Sequence, residues 1–142
     1  MKTALKNREQ RLGIYRRYYR RHRLKLLKAR KEYYDTNRKE IRNRKLARNL
    51  QIKFEVLAHY GPRKELRCSW RGCAIVDVDM LSLDHVKNDG FKHRHQHQHD
   101  GSQGGVGLYS RLRNMKYPKG FQTLCYNHQM KKELVRRSSE AL

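Results

Sequence analysis

The chain has 142 residues, of which 35 are Lys or Arg and 13 are Asp or Glu, so its formal net charge is +22. A chain of this length can form one modest domain but not two full-sized cores. Hydrophobic residues make up 37% of it, and no run of about 18 apolar residues occurs, which excludes a membrane span. The N-terminus also lacks the apolar segment of a secretory signal. We expect a non-secreted protein whose partner is a polyanion, DNA first and structured RNA second, with a membrane surface as the weaker alternative.

Charge and cysteine content divide the sequence into two parts. Residues 1–60 hold 20 basic and 5 acidic residues, whereas residues 61–142 hold 15 and 8, together with all three cysteines and eight of the nine glycines. The composition therefore changes near Gly61 and Pro62. Allowing for a helix that docks ahead of this point, we predict a basic helical arm over residues 1–49 and a folded module over residues 50–142.

The arm is predicted to form long basic α-helices. From Leu5 to about Tyr60 there is no proline and a single glycine, and strong helix formers predominate. Asp35-Thr36-Asn37 is a predicted break and N-cap. Leu50, Phe54 and Leu57 follow at i, i+4 and i+7, which predicts a last helix that docks on the module.

The charge of the arm is interpreted as a nucleic-acid contact. Basic side chains alternate there with tyrosines that pack or stack, whereas a face that only promotes solubility normally mixes both signs. A solvated helix is the alternative. The residues expected to contact phosphates are Arg16, Arg17, Arg20, Arg21, Arg23 and Lys25.

Two short motifs predict a zinc site. Cys68 and Cys73 are separated by four residues, and Cys125 and His128 form a C-x-x-H pair after 51 intervening residues. Zinc prefers tetrahedral thiolate and imidazole ligation, and a metal cross-link would stabilise a module with few large apolar residues. Three unrelated buried cysteines are the alternative. The histidines that alternate from His93 to His99 are interpreted as a flexible polar loop insertion, with a surface metal site as the alternative.

An Asp-His pair lies between the two motifs. Leu81 and Leu83 alternate with Ser82 as a short strand that ends in Asp84-His85. A short helix over 108–115, a turn at 118–120, a second strand over 121–124 and a basic helix from Tyr126 are predicted to follow. The predicted class is thus α+β, with the order strand, strand, helix.

Further motifs accompany this pair in a specific order over roughly residues 50–135. They are Cys68-x4-Cys73, Leu83-Asp84-His85, Asn88-Asp89-Gly90, His93-Arg94, Leu108-Tyr109, Tyr117-Pro118, Gly120-Phe121-Gln122 and Leu124-Cys125-x-Asn127. This set resembles the zinc-bound HNH (ββα-metal) endonucleases of phages and bacteria. The resemblance implies a cytoplasmic protein of a bacterial or phage-infected cell that hydrolyses DNA phosphodiester bonds. It further implies a structural Zn²⁺ and a catalytic Mg²⁺ or other divalent ion bound by Asp84, with His85 as general base.

The sequence departs from the family pattern after the second strand. The usual C-x-x-C-N is replaced by Cys125-x-x-His128-Gln129, so either Gln129 or His128 is expected as the second ligand of the catalytic ion. The central Asn of the family, expected near Gly120, is absent, and Asn88, Asn127 or His93 is a candidate substitute. A catalytically degenerate zinc module that binds DNA or RNA through basic residues of the last helix is the alternative. Those residues are Lys131, Lys132, Arg136 and Arg137.

Overall fold

The computed structural model describes residues 2–96 and 104–140, with backbone alone for residues 2–6 and 140. Its elements are α1 (Lys2–Tyr60), a 3₁₀ turn (Pro62–Lys64), β1 (Leu81–His85), α2 (Gly90–Gln96), α3 (Gly105–Asn114), β2 (Phe121–Cys125) and α4 (Tyr126–Glu140). The chain is thus α+β, as predicted, and it divides into two compact units, Met1–Lys45 and Leu46–Leu142. Within the described part, no helix is long and apolar enough to cross a membrane.

The first unit is helical throughout its described residues, and no side chain described between residues 7 and 45 is buried. The predicted break at Asp35-Thr36-Asn37 is wrong, because α1 runs through it. Instead of capping a new helix, the Asn37 side chain donates a hydrogen bond to the carbonyl of Tyr33, 2.8 Å away and one turn back. The surrounding strong helix formers outweigh the preference of these three residues for a helix end.

In the second unit, the last turns of α1 pack into the core with a different face from the predicted one. Ile52, Val56 and Leu57 are buried, whereas Leu50 is 51% exposed and Phe54 is 50% exposed. The prediction that this segment docks is confirmed, as is the burial of Leu57. The spacing i, i+4, i+7 selected the wrong stripe because Ile52 and Val56 form an equally good apolar pair on a neighbouring face of the helix.

β1 and β2 form a two-stranded antiparallel sheet in which Leu81 pairs with Cys125 and His85 pairs with Phe121. The buried Thr123 hydroxyl donates a 2.7 Å hydrogen bond to the carbonyl of Leu57 in the last turn of α1. The buried apolar core consists of Ile52, Val56, Leu57, Cys68, Leu81, Leu108, Tyr109, Leu112, Leu124 and Cys125. Because α4 starts directly after β2, the predicted order of strand, strand and helix is confirmed.

The segment between the strands differs from the predicted polar loop. Residues 90–96, which include His93 and His95, form the short helix α2. The remaining two histidines of the alternating run, at 97 and 99, lie outside the described residues. The short helix predicted over 108–115 is confirmed as α3, which begins earlier, at Gly105. It contacts α1 through an ion pair in which Arg113 Nη1 lies 3.1 Å from Glu55 Oε2.

Candidate metal centre and the adjacent cleft

Four predicted ligands come together at one end of the sheet. The ligand atoms of Cys68, Cys73, Cys125 and His128 all lie within 4.8 Å of one another, an arrangement that could hold a metal ion such as zinc. His128 presents Nδ1 to the cluster, 3.1 Å from Cys125 Sγ and 3.6 Å from Cys68 Sγ. Three sulfurs and one imidazole nitrogen match the ligand chemistry of structural zinc sites.

Backbone hydrogen bonds hold the first motif, Cys68-x4-Cys73, in place and connect it to the second. The Cys68 N–H donates to the carbonyl of Ile75, and the Cys73 N–H donates to that of Trp70, both at 3.0 Å. In the turn between Cys68 and Cys73, Gly72 has φ +80°, a conformation that costs a glycine little. The two motifs are joined directly, because the Cys125 N–H donates to Cys68 Sγ at 3.3 Å.

The thiols of the cluster differ in acidity. Burial raises the pKa of Cys68 to about 11, whereas a hydrogen bond from the backbone of Ile75 lowers the pKa of Cys73. Since a metal binds the thiolate, binding would displace a proton from Cys68 and depend on pH.

A cleft lies at the end of β1, on the same two-stranded sheet as this cluster. Asp84 and His85 contribute to its wall, and its volume is about 340 Å³. The Asp84 carboxylate is 16% exposed and has two close partners at the same oxygen, Oδ2. Lys132 Nζ lies 2.6 Å away, and the amide nitrogen of the cross-strand neighbour Gln122 donates at 2.7 Å. The cleft is lined by Leu83, Asp84, His85, Asn88, Gly90, Phe91, Arg94, Glu133 and Arg136.

The imidazole of His85 is held in a tight environment. Its ring centroid lies 4.7 Å from that of Phe121 and 5.1 Å from that of His93. Its Nε2 is buried and has no hydrogen-bond partner among the described residues. Burial lowers the pKa of His85, against the opposing charges of Asp89 and Asp84. The ring is therefore biased towards its neutral form, which can accept a proton.

The candidates for the remaining catalytic positions are placed differently from one another. Gln129 is directed along β1, where its amide donates to the Ser82 hydroxyl and to the Leu83 carbonyl, the latter at 3.4 Å. His128 faces the sulfurs instead of the cleft. Asn88 lines the cleft, whereas Asn127 is exposed and does not. His93 reaches the site by packing on His85.

The basic residues of α4 that were predicted to bind nucleic acid lie in different surroundings. Lys131 is exposed, and its Nζ lies 5.7 Å from the centroid of the Trp70 ring. Lys132 is 17% exposed and contacts Asp84, so in this structure it does not form part of an open basic surface. The arm residues Arg16, Arg17, Arg20, Arg21 and Arg23 are all exposed.

Two charged residues of the cleft were given no role by the sequence analysis, and a third was assigned to the binding surface of the last helix. Arg94 belongs to a motif but has no predicted role, Arg136 is predicted on a binding surface, and Glu133 is absent from the predicted site. Glu133 Oε1 lies 2.7 Å from Arg136 Nη2 and 2.9 Å from Arg137 Nε. Their hydrogen bonds lower the pKa of Glu133 to about 2. The available signal was helical spacing, since Glu133 follows Gln129 by one turn on the face that approaches the end of β1.

No protein-family model, curated protein or solved structure matches this chain.

Proposed function

We propose that this protein is an HNH-type endonuclease that hydrolyses DNA phosphodiester bonds, with a structural zinc ion and a divalent catalytic ion. The observation that supports it most is that Asp84 and His85 line one cleft at one end of the sheet, while a cluster of three cysteines and one histidine lies at the other end. A carboxylate, an imidazole biased towards its neutral form and two arginines are groups well suited to phosphodiester hydrolysis.

His85 acts as the general base in this proposal. A water molecule attacks phosphorus, its proton passes to the imidazole, and the bond from phosphorus to the 3′ oxygen breaks. The departing oxygen takes a proton from solvent. The lowered pKa of His85 keeps the base neutral at cellular pH. Arg94, which lines the same cleft, offers positive charge to the phosphate. Arg136 also lines the cleft, where it is paired with Glu133.

Zn²⁺ is proposed as the ion of the cysteine and histidine cluster. Cys68, Cys73, Cys125 and His128 would hold it, and it would then join the segment before β1 to the junction of β2 and α4. Because that junction also begins the helix that carries Lys132, Glu133 and Arg136, the metal would position one wall of the cleft.

Asp84 is the proposed ligand of the catalytic ion, for which Mg²⁺ is the first candidate. Magnesium is commonly held by one or two carboxylates together with water and substrate phosphate, so a single aspartate fits. When bound, such an ion stabilises negative charge on the phosphate and on the departing oxygen. The side chain of Gln129 contacts Ser82 and that of His128 contacts Cys125, so neither faces the cleft. Lys132 Nζ contacts Asp84 Oδ2.

A plasmid-nicking assay with Mg²⁺ tests the activity. We expect cleavage by the wild type that is lost in His85→Ala, while DNA binding in the same buffer persists. His59→Ala is a suitable control, since His59 packs against Tyr117 instead of lining the cleft. Equal, metal-insensitive cleavage by wild type and His85→Ala would show that the activity is a contaminant.

A non-catalytic zinc module that binds DNA or structured RNA is the second candidate. It is favoured by one observation, the ion pair through which Lys132 neutralises the acid that should bind the catalytic ion. In that case, full-length protein shifts DNA or RNA in a binding assay at a salt-dependent affinity, and neither Mg²⁺ nor Mn²⁺ produces nicks.

A further inference from the structure

Lys132 occupies the position at which the proposed function requires a divalent ion. Its Nζ lies 2.6 Å from Asp84 Oδ2 and 2.5 Å from the carbonyl oxygen of His85. A carboxylate and a main-chain carbonyl are both oxygen ligands of the kind that Mg²⁺ and Mn²⁺ prefer. The ammonium group thus uses two of the contacts that an ion at this place would use.

The ion pair is well shielded from solvent. The side chains of Lys132 and Asp84 are 17% and 16% exposed, and Gln122 donates a further hydrogen bond to the same carboxylate oxygen. A carboxylate with so little exposure needs a positive partner, and here the protein supplies one of its own. A divalent ion that approaches Oδ2 meets both electrostatic repulsion from the ammonium and an occupied lone pair.

We infer that Lys132 is a positioning residue that holds Asp84 in the ion-free protein and competes with the divalent ion for it. Binding of the ion requires the ammonium to leave Oδ2, and the flexible four-carbon stem of a lysine allows that movement. This inference rests on the proposed function, because it takes Asp84 to be the ligand of that ion.

The test is Mn²⁺ binding to the full-length protein without DNA, with free Mn²⁺ followed by electron paramagnetic resonance. The variants are Lys132→Met, which removes the charge, and Lys132→Gln, which removes the charge but keeps a hydrogen-bond donor for Asp84. Lys131→Met is the matched control, because Lys131 is exposed and lies over Trp70 instead. We expect both Lys132 variants to bind Mn²⁺ at least about tenfold more tightly than the wild type and the control.

The gain must depend on Asp84. In Lys132→Gln combined with Asp84→Asn, the tighter binding should disappear. Equal Mn²⁺ affinity in the wild type and Lys132→Gln, a gain that survives Asp84→Asn, or no Mn²⁺ binding by Lys132→Gln would each overturn the inference.

A measurement on the wild type alone covers the case in which the variants do not fold. Reductive methylation read by mass spectrometry should modify Lys132 more slowly than Lys131, and saturating Mn²⁺ should accelerate modification of Lys132 selectively. Unchanged Lys132 reactivity would overturn the inference. The failure of this inference can be distinguished from the failure of the proposed function. If the wild type nicks DNA but Lys132→Gln binds Mn²⁺ no more tightly, only the competition between Lys132 and the ion is refuted. If Lys132→Gln binds Mn²⁺ more tightly but the protein does not nick DNA, only the nuclease activity is refuted.

Discussion

The indole of Trp70 stacks on the imidazole of His128, with ring centroids 4.9 Å apart and planes inclined by 10°. Trp70 lies between Cys68 and Cys73, whereas His128 lies on α4. The stack therefore links the two halves of the metal cluster. It also fixes the ring plane of His128, with Nδ1 directed at the sulfurs of Cys125 and Cys68.

This geometry predicts the outcome of exchanging the fourth ligand. His128→Cys should keep one zinc per chain, because four thiolates are an equally good tetrahedral set, whereas His128→Ala should bind zinc more weakly. Cys68→Ser should lose both zinc and the cooperative thermal transition, since Cys68 is buried among the core residues. Metal analysis and thermal unfolding measure these effects. Ser69→Ala is the control, because the hydrogen bond of Ser69 to Thr123 uses its backbone N–H. Full zinc content in His128→Ala would remove His128 from the ligand set.

A second prediction concerns Gly90, the first residue of α2. A Cβ atom at this position would lie 3.0 Å from Nδ1 of His85. Gly90→Ala should therefore displace the imidazole and lower the single-turnover cleavage rate roughly tenfold, since small misplacements of a catalytic group are costly. Gly104→Ala is the matched control, because a Cβ at Gly104 meets nothing within 4 Å. An unchanged rate and an unchanged His85 chemical shift in Gly90→Ala would show that the ring tolerates the methyl group.

The sequence predicted the two strands, the helix that follows them and the four residues of the metal cluster, because each depends on local signals. Alternation, a turn and paired ligand spacings are visible in a few consecutive residues. The buried stripe of α1 was misjudged because Ile52 and Val56 compete with Leu50 and Phe54, and only packing decides between them.

The side-chain contacts within the cleft were harder to predict from the sequence. Lys132 was expected on a phosphate-binding surface, yet its ammonium neutralises Asp84, which is 48 residues earlier in the chain. That pairing depends on how closely α4 approaches the end of β1. Helical spacing places Lys132, Glu133 and Arg136 near one another but does not reveal which of them reaches the carboxylate.

The protonation of His85 yields a third prediction, on pH dependence. Burial, as the largest cause, lowers the pKa of His85 below its usual value of 6.5. A base with a lowered pKa stays neutral at more acidic pH, so cleavage should persist below pH 6.5 and fall only beneath the lowered pKa. The same shift makes folding less favourable as pH falls, because the unfolded chain takes up the proton first.

Neighbouring charges provide matched variants for this pH profile. Asp89 raises the pKa of His85 and Arg94 lowers it. Asp89→Asn should move the profile to lower pH, and Arg94→Gln should move it to higher pH. Single-turnover rates and an NMR titration of the His85 ring should agree for each variant. Shifts of the same sign in both variants would contradict His85 as the titrating base.

The last prediction concerns the basic arm, whose described residues form a helix with exposed arginines and tyrosines. Replacement of Arg16, Arg17, Arg20, Arg21 and Arg23 by Gln, which keeps helix propensity, should weaken DNA binding. It should also reduce the slope of log affinity against log salt by about 0.9 for each phosphate that the variant no longer neutralises. The control removes five charges further along the same helix, at Arg38, Lys39, Arg42, Arg44 and Lys45. If both variants weaken binding and reduce the slope equally, the arm acts through net charge alone; a larger effect in the first identifies residues 16–23 as the phosphate-contacting segment.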